Sequence, residues 1–379
     1  MYLDTMTFCH GTWNYEKNHI INKEEADIVF LFGHRDVFKD PTSYHSLRAL
    51  YPNAHIVGCT SGGNILDDTL RDVSLVATAV KFHAGFTHLS VADFTEEDNL
   101  VDISQKLIEE LPKEGLKHIF ILADGLRTNG SSLAIGANRA YDGMLPITGG
   151  LAGDDNRFEE TWIIADDIPR QGRIAAVGFY GDTISVSSAC YAGWDEFGIT
   201  RRITRSKGNI VYEIDHQPAL TLYKKYLGEF ANQLPSSALR FPLSIKASEE
   251  DRPIIRSIMA IDESNQSLTF AGDVPEGSFA RLMKTDIDGL IDGLKSVAQK
   301  MRQDNSLDAL GLVVSCVGRR VVLDQLTDEE LETIHEAVGE HVQLAGFYSY
   351  GELAPYSDTL QTCQLHNQTM TITVIYEDV

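Results

Sequence analysis

The feature that most constrains this chain is a pattern that recurs three times. An apolar strand passes through a loop and a helical stretch to a second apolar strand, which breaks on a glycine-rich polar turn. The first copy joins "ADIVFLFG" (26–33) to "AHIVGCTSGGNI" (54–65), and the second joins "LKHIFILADG" (116–125) to "LPITGGLAGDD" (145–155). The third joins "ALGLVVSCVGR" (309–319) to "LAGFYSYGEL" (344–353). Val29 and Gly58 are 29 residues apart, as are Phe120 and Gly149, and the third unit is slightly longer. Repetition at a fixed period marks one structural unit used more than once. The three turns end on Asn64, Asp154 and Glu352. Beyond the third, Thr369, Thr371 and Thr373 alternate with Met370, Ile372 and Val374, the period of a half-buried strand.

Between the repeats the pattern changes. Residues 161 to 191 read as three strands in succession, and "IIRSIMAIDESNQSLTFAGDVPEGSFARLMKTD" (254–286) reads as an antiparallel region. The fold class is therefore mixed α/β, with degenerate βαβ-like units beside antiparallel β regions. Residues 1 to 25 are polar and mixed and predict a loop. Thr95 with Asp98, and Thr327 with Glu330, have the spacing of a capping box. A helix is expected from Pro218 to a stop at Gly228. The stretch from Tyr191 to Asn209, with two aromatic–glycine breaks, is the expected passage between two parts, 1–204 and 205–379.

Charge narrows the partners. The 32 basic and 55 acidic residues give a net charge of −23, a surface that repels nucleic acid and anionic membranes. Five scattered cysteines, odd in number and without a CxxC pair, argue against a disulfide framework and a zinc ribbon. No apolar run has the length of a membrane helix and no basic-then-apolar leader opens the chain, so a cytoplasmic protein is expected. Nothing in the sequence speaks against a homo-oligomer.

The polar residues at the strand ends are the candidate site. The turns carrying Gly58, Thr60, Ser61 and Asn64, then Gly149, Gly150 and Asp154, then Tyr350 and Glu352, are expected to form one ligand-facing rim. Their backbone N–H groups are of the kind that cradle an anion. The alternative is that glycine serves only positive-φ turns and close strand approach. Cys316, three residues before Arg319, has a cation near enough in sequence to favour a thiolate, although no base accompanies it. His366 and Asn367 begin the last strand. No histidine pair has HxxxH or HExxH spacing, yet a haem iron needs only one imidazole and leaves no spacing signature. A serine-nucleophile elbow and a distinct carboxylate pair are both missing, so a ligand-binding protein without enzymatic activity is expected.

At "GCTSGGNI", "GGLAGDD", "ITRSKGNIVYEIDHQPALTLYKKYLG", "SCVGRR" and "GFYSYGELAP…LHNQTMTIT" the chain resembles the FIST family of sensory domains, over nearly its whole length. Around "ITRSKGNIVYEIDHQPAL" it is most similar to NosP-type members. That resemblance implies haem b as cofactor, nitric oxide as signal, and a histidine kinase or a cyclic-di-GMP enzyme as partner. It also implies a stand-alone sensor, with His366 of the string "LHN" as the candidate iron ligand. His216 stands where similar sequences would carry glycine. Two other readings remain: a sensor of a small anionic or amino-acid ligand held by the three turns, and a thiol enzyme using Cys316 with Arg319.

Overall fold

The computed structural model describes residues 1–17, 20–72, 75–248, 250–285, 287–302, 308–355 and 361–378. Among these, three six-stranded sheets repeat one plan. Each has a parallel pair at its centre: Ile28–Gly33 with His55–Thr60, Leu116–Ala123 with Ile147–Leu151, and Ala309–Cys316 with Val342–Ser349. Against the first strand of each pair lies an antiparallel third: Leu75–Lys81, Arg173–Tyr180 or Met370–Glu377. A fourth strand follows on the far side of the third: Tyr2–Cys9, Phe86–Asp93 or Ile184–Tyr191. The threefold recurrence in the sequence is thus a threefold recurrence of sheets.

Each unit also lends a segment to a neighbour. After its second strand the first unit sends Asn64–Leu66 into the third sheet, beside Val342–Ser349. The second unit sends Ile163–Ala165 into the first sheet, and the third sends Gly351–Pro355 into the second. The exchange is cyclic, so no sheet is complete within one unit.

The central strands are buried on both faces, which explains their near-continuous apolar runs. Phe30 and Phe32 point into a core shared by the three sheets, where Phe30 meets Phe120 at 6.0 Å edge-on and Phe32 stacks on Phe347 at 5.0 Å. Alternate residues Val29 and Leu31 face outward and meet Leu47 and Tyr44 of the helix Pro41–Leu50. The second and third sheets carry Leu100–Glu109 with Gly130–Ala140, and Ile287–Gln299 with Thr327–Val338. The small residues Ala134, Gly136 and Ala137 are buried, and a Cβ on Gly136 would meet the Val101 carbonyl at 2.2 Å.

Between Ile184–Tyr191 and Ile287–Gln299 the chain makes an eight-stranded antiparallel sheet with its own core. It opens with the 13-residue strand Asp195–Lys207 and includes the helix Ala219–Leu227, which stops at Gly228 with φ of 57°. The expected passage over Tyr191 to Asn209 is therefore mostly strand, and residue 204 lies within it. Residues 1 to 25 also differ from expectation: Tyr2–Cys9 and Thr12–Lys17 form a hairpin at the edge of the first sheet. Its turn, His10–Gly11, has positive φ at both positions, a geometry that residue-type counting over a polar stretch does not reveal.

Both capping boxes fail as caps. Thr95 and Asp98 do bond each other, but the helix begins later, at Asn99, whose side chain accepts from Val101 N. Thr327–Val338 has no side-chain N-cap, because Glu330 turns into the core to meet Arg319. No helix among the described residues is long and apolar enough to cross a membrane.

Gly58, Gly149 and Gly346 hold equivalent places, where a Cβ would lie 1.8–2.0 Å from the carbonyl oxygens of Leu31, Ile121 and Val313. Replacing Gly346 with Ala forces the central parallel pair apart. It should lower unfolding free energy by about 3 kcal/mol, read as a shift of the urea midpoint, whereas Gly11→Ala, with nothing within 4 Å, should lose less.

Candidate functional site

The three glycine-rich turns converge, as the recurrence predicts, and they do so by bonding to each other. Gly62 N donates to Tyr348 O at 2.8 Å, Tyr350 N to Leu151 O at 3.1 Å, and Gly153 N to Thr60 O at 3.1 Å. The three pairs are equivalent positions, so they form a closed cycle around the threefold centre. The Gly63 N–H donates to Ser61 Oγ at 2.9 Å. These amides are therefore not available to cradle an anion, and the ligand-facing rim expected from sequence is a buried junction.

Its side chains are engaged as well. Asp154 accepts from the backbone N–H groups of Phe158, Glu159 and Glu160 and from Arg35, and the Tyr350 hydroxyl donates to it. Thr60 Oγ1 accepts from Trp162 N at 3.0 Å. In the backbone ladders Asn64 stands opposite Phe347 and Gly150 opposite Glu352. Glycine at 58, 149 and 150 answers to close approach: a Cβ on Gly150 would meet Val314 at 2.5 Å and the Phe347 ring at 3.1 Å.

A cavity of about 720 Å³ lies elsewhere, between the edge strand Ile184–Tyr191, the end of Cys363–His366 and the inserted sheet. His366, Thr369, Cys190 and Trp194 line it, with His118 in its wall and Arg252 and Lys300 contributed from the insertion and the helix end. Sequence reasoning reached His366 only. The residues from 184–194 and 252–300 come from segments with no spacing relation to the repeats. The one visible sign of His118 is a polar residue within the apolar run "LKHIFILA".

Burial sets the protonation of both imidazoles. It lowers His366 to about 4, with Arg256 adding to the effect and a hydrogen bond to the Ala354 carbonyl opposing it. His366 Nε2 has no hydrogen-bond partner among the described residues. Burial lowers His118 to about 3, and its Nε2 contacts Thr148 Oγ1 at 2.7 Å. Both rings are neutral at pH 7.

Behind the cavity wall lies Glu352, fully buried and directly across the strand pair from His366. It accepts from Ser349 Oγ at 2.5 Å and from Thr369 N and Oγ1 at 3.2 and 2.9 Å. Burial pushes its carboxyl up to about 8, and the donors on Ser349 and Thr369, with Arg319 nearby, only partly offset this. Asn367 is buried, and neither end of its amide has a partner among the described residues. The polar string His366 to Thr369 is thus inside the protein, not on a rim.

Arg319 does not serve Cys316. Its guanidinium is fully buried against Glu330, with Nε and Nη2 at 2.8 and 2.5 Å from Oε1, and it also donates to the carbonyls of Ala192 and Leu290. Burial, with Glu352 next in effect, pushes the Cys316 thiol well above its ordinary value. The expectation of an arginine-activated thiolate is therefore corrected: the cation is committed to a carboxylate, and the thiol is held protonated.

The FIST N domain profile matches residues 27–217 and the FIST C domain profile matches 219–355. The chain belongs to the FIST family. FIST domains are sensory, ligand-binding domains of signalling proteins. An uncharacterised protein of Methanocaldococcus jannaschii is similar to this FIST chain, 25% identical over 260 residues, which are 62% of this chain and 49% of that protein. The chain thus matches about half the length of that relative. A cyanuric acid hydrolase from A. caulinodans superposes with a TM-score of 0.38 at 7% identity, covering 95% of this chain and 92% of that one. A chorismatase gives 0.34 at 10%, covering 99% and 98%. Likenesses this low carry no argument about activity.

Glu352 makes stability depend on pH. With its folded pKa above the unfolded value, the folded state holds the extra proton from about pH 4.5 to about 8. Its contribution is complete below that window and is lost as pH rises through it. Glu352→Gln, which imitates the protonated form, should therefore gain on the wild type as pH goes from 5 to 8, by at most about 1.4 kcal/mol per pH unit. Urea denaturation of both proteins at several pH values measures it; parallel curves would assign Glu352 an ordinary ionisation.

Proposed function

We propose that this FIST chain is a sensor whose ligand occupies the 720 Å³ cavity, that the ligand is haem b held through His366, and that nitric oxide at the haem is the signal. The observation that carries the reading is the His366 ring. Burial holds the ring neutral, the residue lines the cavity, and its buried Nε2 has no hydrogen-bond partner among the described residues. A neutral imidazole with an uncommitted nitrogen is the form that ligates a metal. The volume lies within the range of small-molecule sites. Arg252 and Lys300 would take the propionates, and Trp194 and Ala189 supply apolar wall. Bound haem supplies an open iron position for a diatomic gas. The chain's part is to bind, to keep His366 neutral, and to pass the change on to a partner histidine kinase or cyclic-di-GMP enzyme.

A second reading has its own support. Two cationic side chains, the Thr369 hydroxyl and two neutral imidazoles line the same cavity, which suits a small carboxylate or amino acid without haem.

Titrating the purified protein with hemin should give a saturable Soret band that shifts when nitric oxide is added to the reduced form. His366→Ala should weaken hemin binding at least tenfold, and Cys190→Ser should not. A broad, unsaturable absorbance sinks the haem reading. If a carboxylate or amino acid then raises the melting temperature, and loses that effect in an Arg252→Ala protein, the second reading takes its place.

A further inference from the structure

The cavity has a second polar end, away from His366. Five consecutive residues, Val186 to Cys190, line it, and their strand Ile184–Tyr191 is outermost in the third sheet. Successive side chains of a strand point to opposite faces, so a cavity that touches all five runs along the strand's free edge. The ladder places its two ends. Tyr191 stands opposite Met370, next to Thr369, and Ser188 stands opposite Thr373. Thr369 and Thr373 are four residues apart, about 13 Å along an extended chain.

His118 belongs to the Thr373 end. It is fully buried, it lines the cavity together with Pro146, and two threonine hydroxyls are chained behind it. Thr373 Oγ1 donates to Thr148 Oγ1 at 2.8 Å. The hydrogen of Thr148 is then left for His118 Nε2, at 2.7 Å. Burial keeps the ring neutral, so its own hydrogen sits on Nδ1. Nδ1 is buried and has no hydrogen-bond partner among the described residues. A buried donor without an acceptor is costly, and a group in that position calls for a partner.

Charge says what that partner is. In a chain with 55 acidic residues, no aspartate or glutamate is among the described residues that line the cavity, whereas Arg252 and Lys300 both do. Lys300 precedes Met301, whose carbonyl accepts from Tyr376 Oη at 2.9 Å, and Tyr376 stands opposite Ser185. Lys300 is therefore at the same end as Ser188 and His118. A neutral N–H donor and an ammonium at one end of a cavity without carboxylates suit a carboxylate.

We propose that His118 and Lys300 form a carboxylate subsite, in which His118 Nδ1–H donates to a carboxylate oxygen of the ligand and Lys300 supplies the charge. The subsite rests on the reading of the cavity as the sensing site. Its carboxylate is a propionate where the ligand is haem b, and the acid group itself where the ligand is a small carboxylate.

Hemin and its dimethyl ester differ only at the carboxylates, so the ratio of their dissociation constants, from absorbance titration of the whole protein, reads the subsite. Glutarate and its dimethyl ester, followed by melting temperature, are the pair for a small acid. A glutamine at 118 sets an amide where Nε2 lies and keeps the Thr148 contact, whereas an asparagine sets one where Nδ1 lies. The wild type should prefer acid to ester at least tenfold in one of the two pairs, and the pair that responds names the source of the carboxylate. His118→Gln should cut that preference at least threefold while the free protein melts as the wild type does, and His118→Asn should keep it. Lys300→Met, at an exposed position just past the helix Ile287–Gln299, should cut it as well without touching the core. A wild-type preference in both His118→Gln and Lys300→Met, or equal binding of acid and ester by the wild type, overturns the subsite and leaves the cavity reading intact. Equal loss in His118→Gln and His118→Asn assigns His118 to packing and overturns it too. If neither acid binds the wild type, the cavity reading fails and the subsite with it.

Discussion

The three backbone hydrogen bonds that close the cycle Gly62–Tyr348, Tyr350–Leu151 and Gly153–Thr60 are the constraint from which the rest of the structure follows. Each joins one unit to the next, so none can form within a unit. The segments that follow the turns then pair in a neighbour's sheet, and every sheet depends on a strand from elsewhere in the chain. Stability built this way is cooperative across the whole body. It also draws on contacts between residues far apart in sequence, for which loop-closure entropy must be overcome before the contact is gained. The packed aromatic centre, with Phe30, Phe120, Phe32 and Phe347 drawn from three units, is the side-chain counterpart of the same cycle.

Arg319 does for the insertion what the turns do for the body. A fully buried guanidinium is costly to desolvate, and such a pair with a carboxylate is tolerated when its remaining hydrogens are also satisfied. Here four of the five N–H groups find acceptors: Glu330 takes two, and the carbonyls of Ala192 and Leu290 take one each. Ala192 lies where the chain leaves the third sheet and Leu290 where it returns, so one side chain ties both ends of the eight-stranded insertion. Tyr191 Oη to Gly289 O at 2.8 Å and Thr285 Oγ1 to Gly193 O at 2.6 Å strengthen the same junction. Removing one member of such a pair costs about 3–5 kcal/mol in general. Here the loss would fall on the placement of the insertion.

Much of the body is legible in the sequence because strands buried on both faces are short, apolar and bounded by glycine, and a repeat of such strands is visible as a repeat. The cyclic exchange is not legible, since Asn64–Leu66 and Gly351–Pro355 look like continuations of their own units; only packing decides which sheet receives them. Glu330 illustrates a second kind of loss. Its spacing from Thr327 fits a cap, but a buried arginine eleven residues earlier is the stronger partner for a carboxylate, and no local pattern encodes that choice. The candidate site divides in the same way. His366 and Glu352 stand out as polar residues beside apolar strands, whereas Cys190, Trp194, Arg252 and Lys300 are brought to the cavity by the path of the insertion. The turns themselves were visible, and their purpose was not: glycine there allows backbones to meet, which from sequence alone looks the same as allowing a ligand to approach. His216 shows the value of reading a residue type against conformation, for it occupies a turn at φ of 59°, where glycine would be relaxed, and it is exposed.

The placement of the cavity bears on how such a domain could signal. A ligand held at the turns would have to act through a junction whose amides already bond one another, and any change there would disturb all three sheets together. The cavity instead touches two bodies, the edge of the third sheet at Cys190 and the insertion at Arg252 and Met283. A ligand that fits one placement of the insertion better than another biases that placement by the difference in its two affinities, and by no more than that difference. The Arg319 clamp holds both ends of the insertion, and Glu352 lies behind Thr369 of the cavity wall. The backbone bonds of the threefold centre lie apart from the cavity, so a ligand there would touch the third sheet and the insertion while leaving that junction closed.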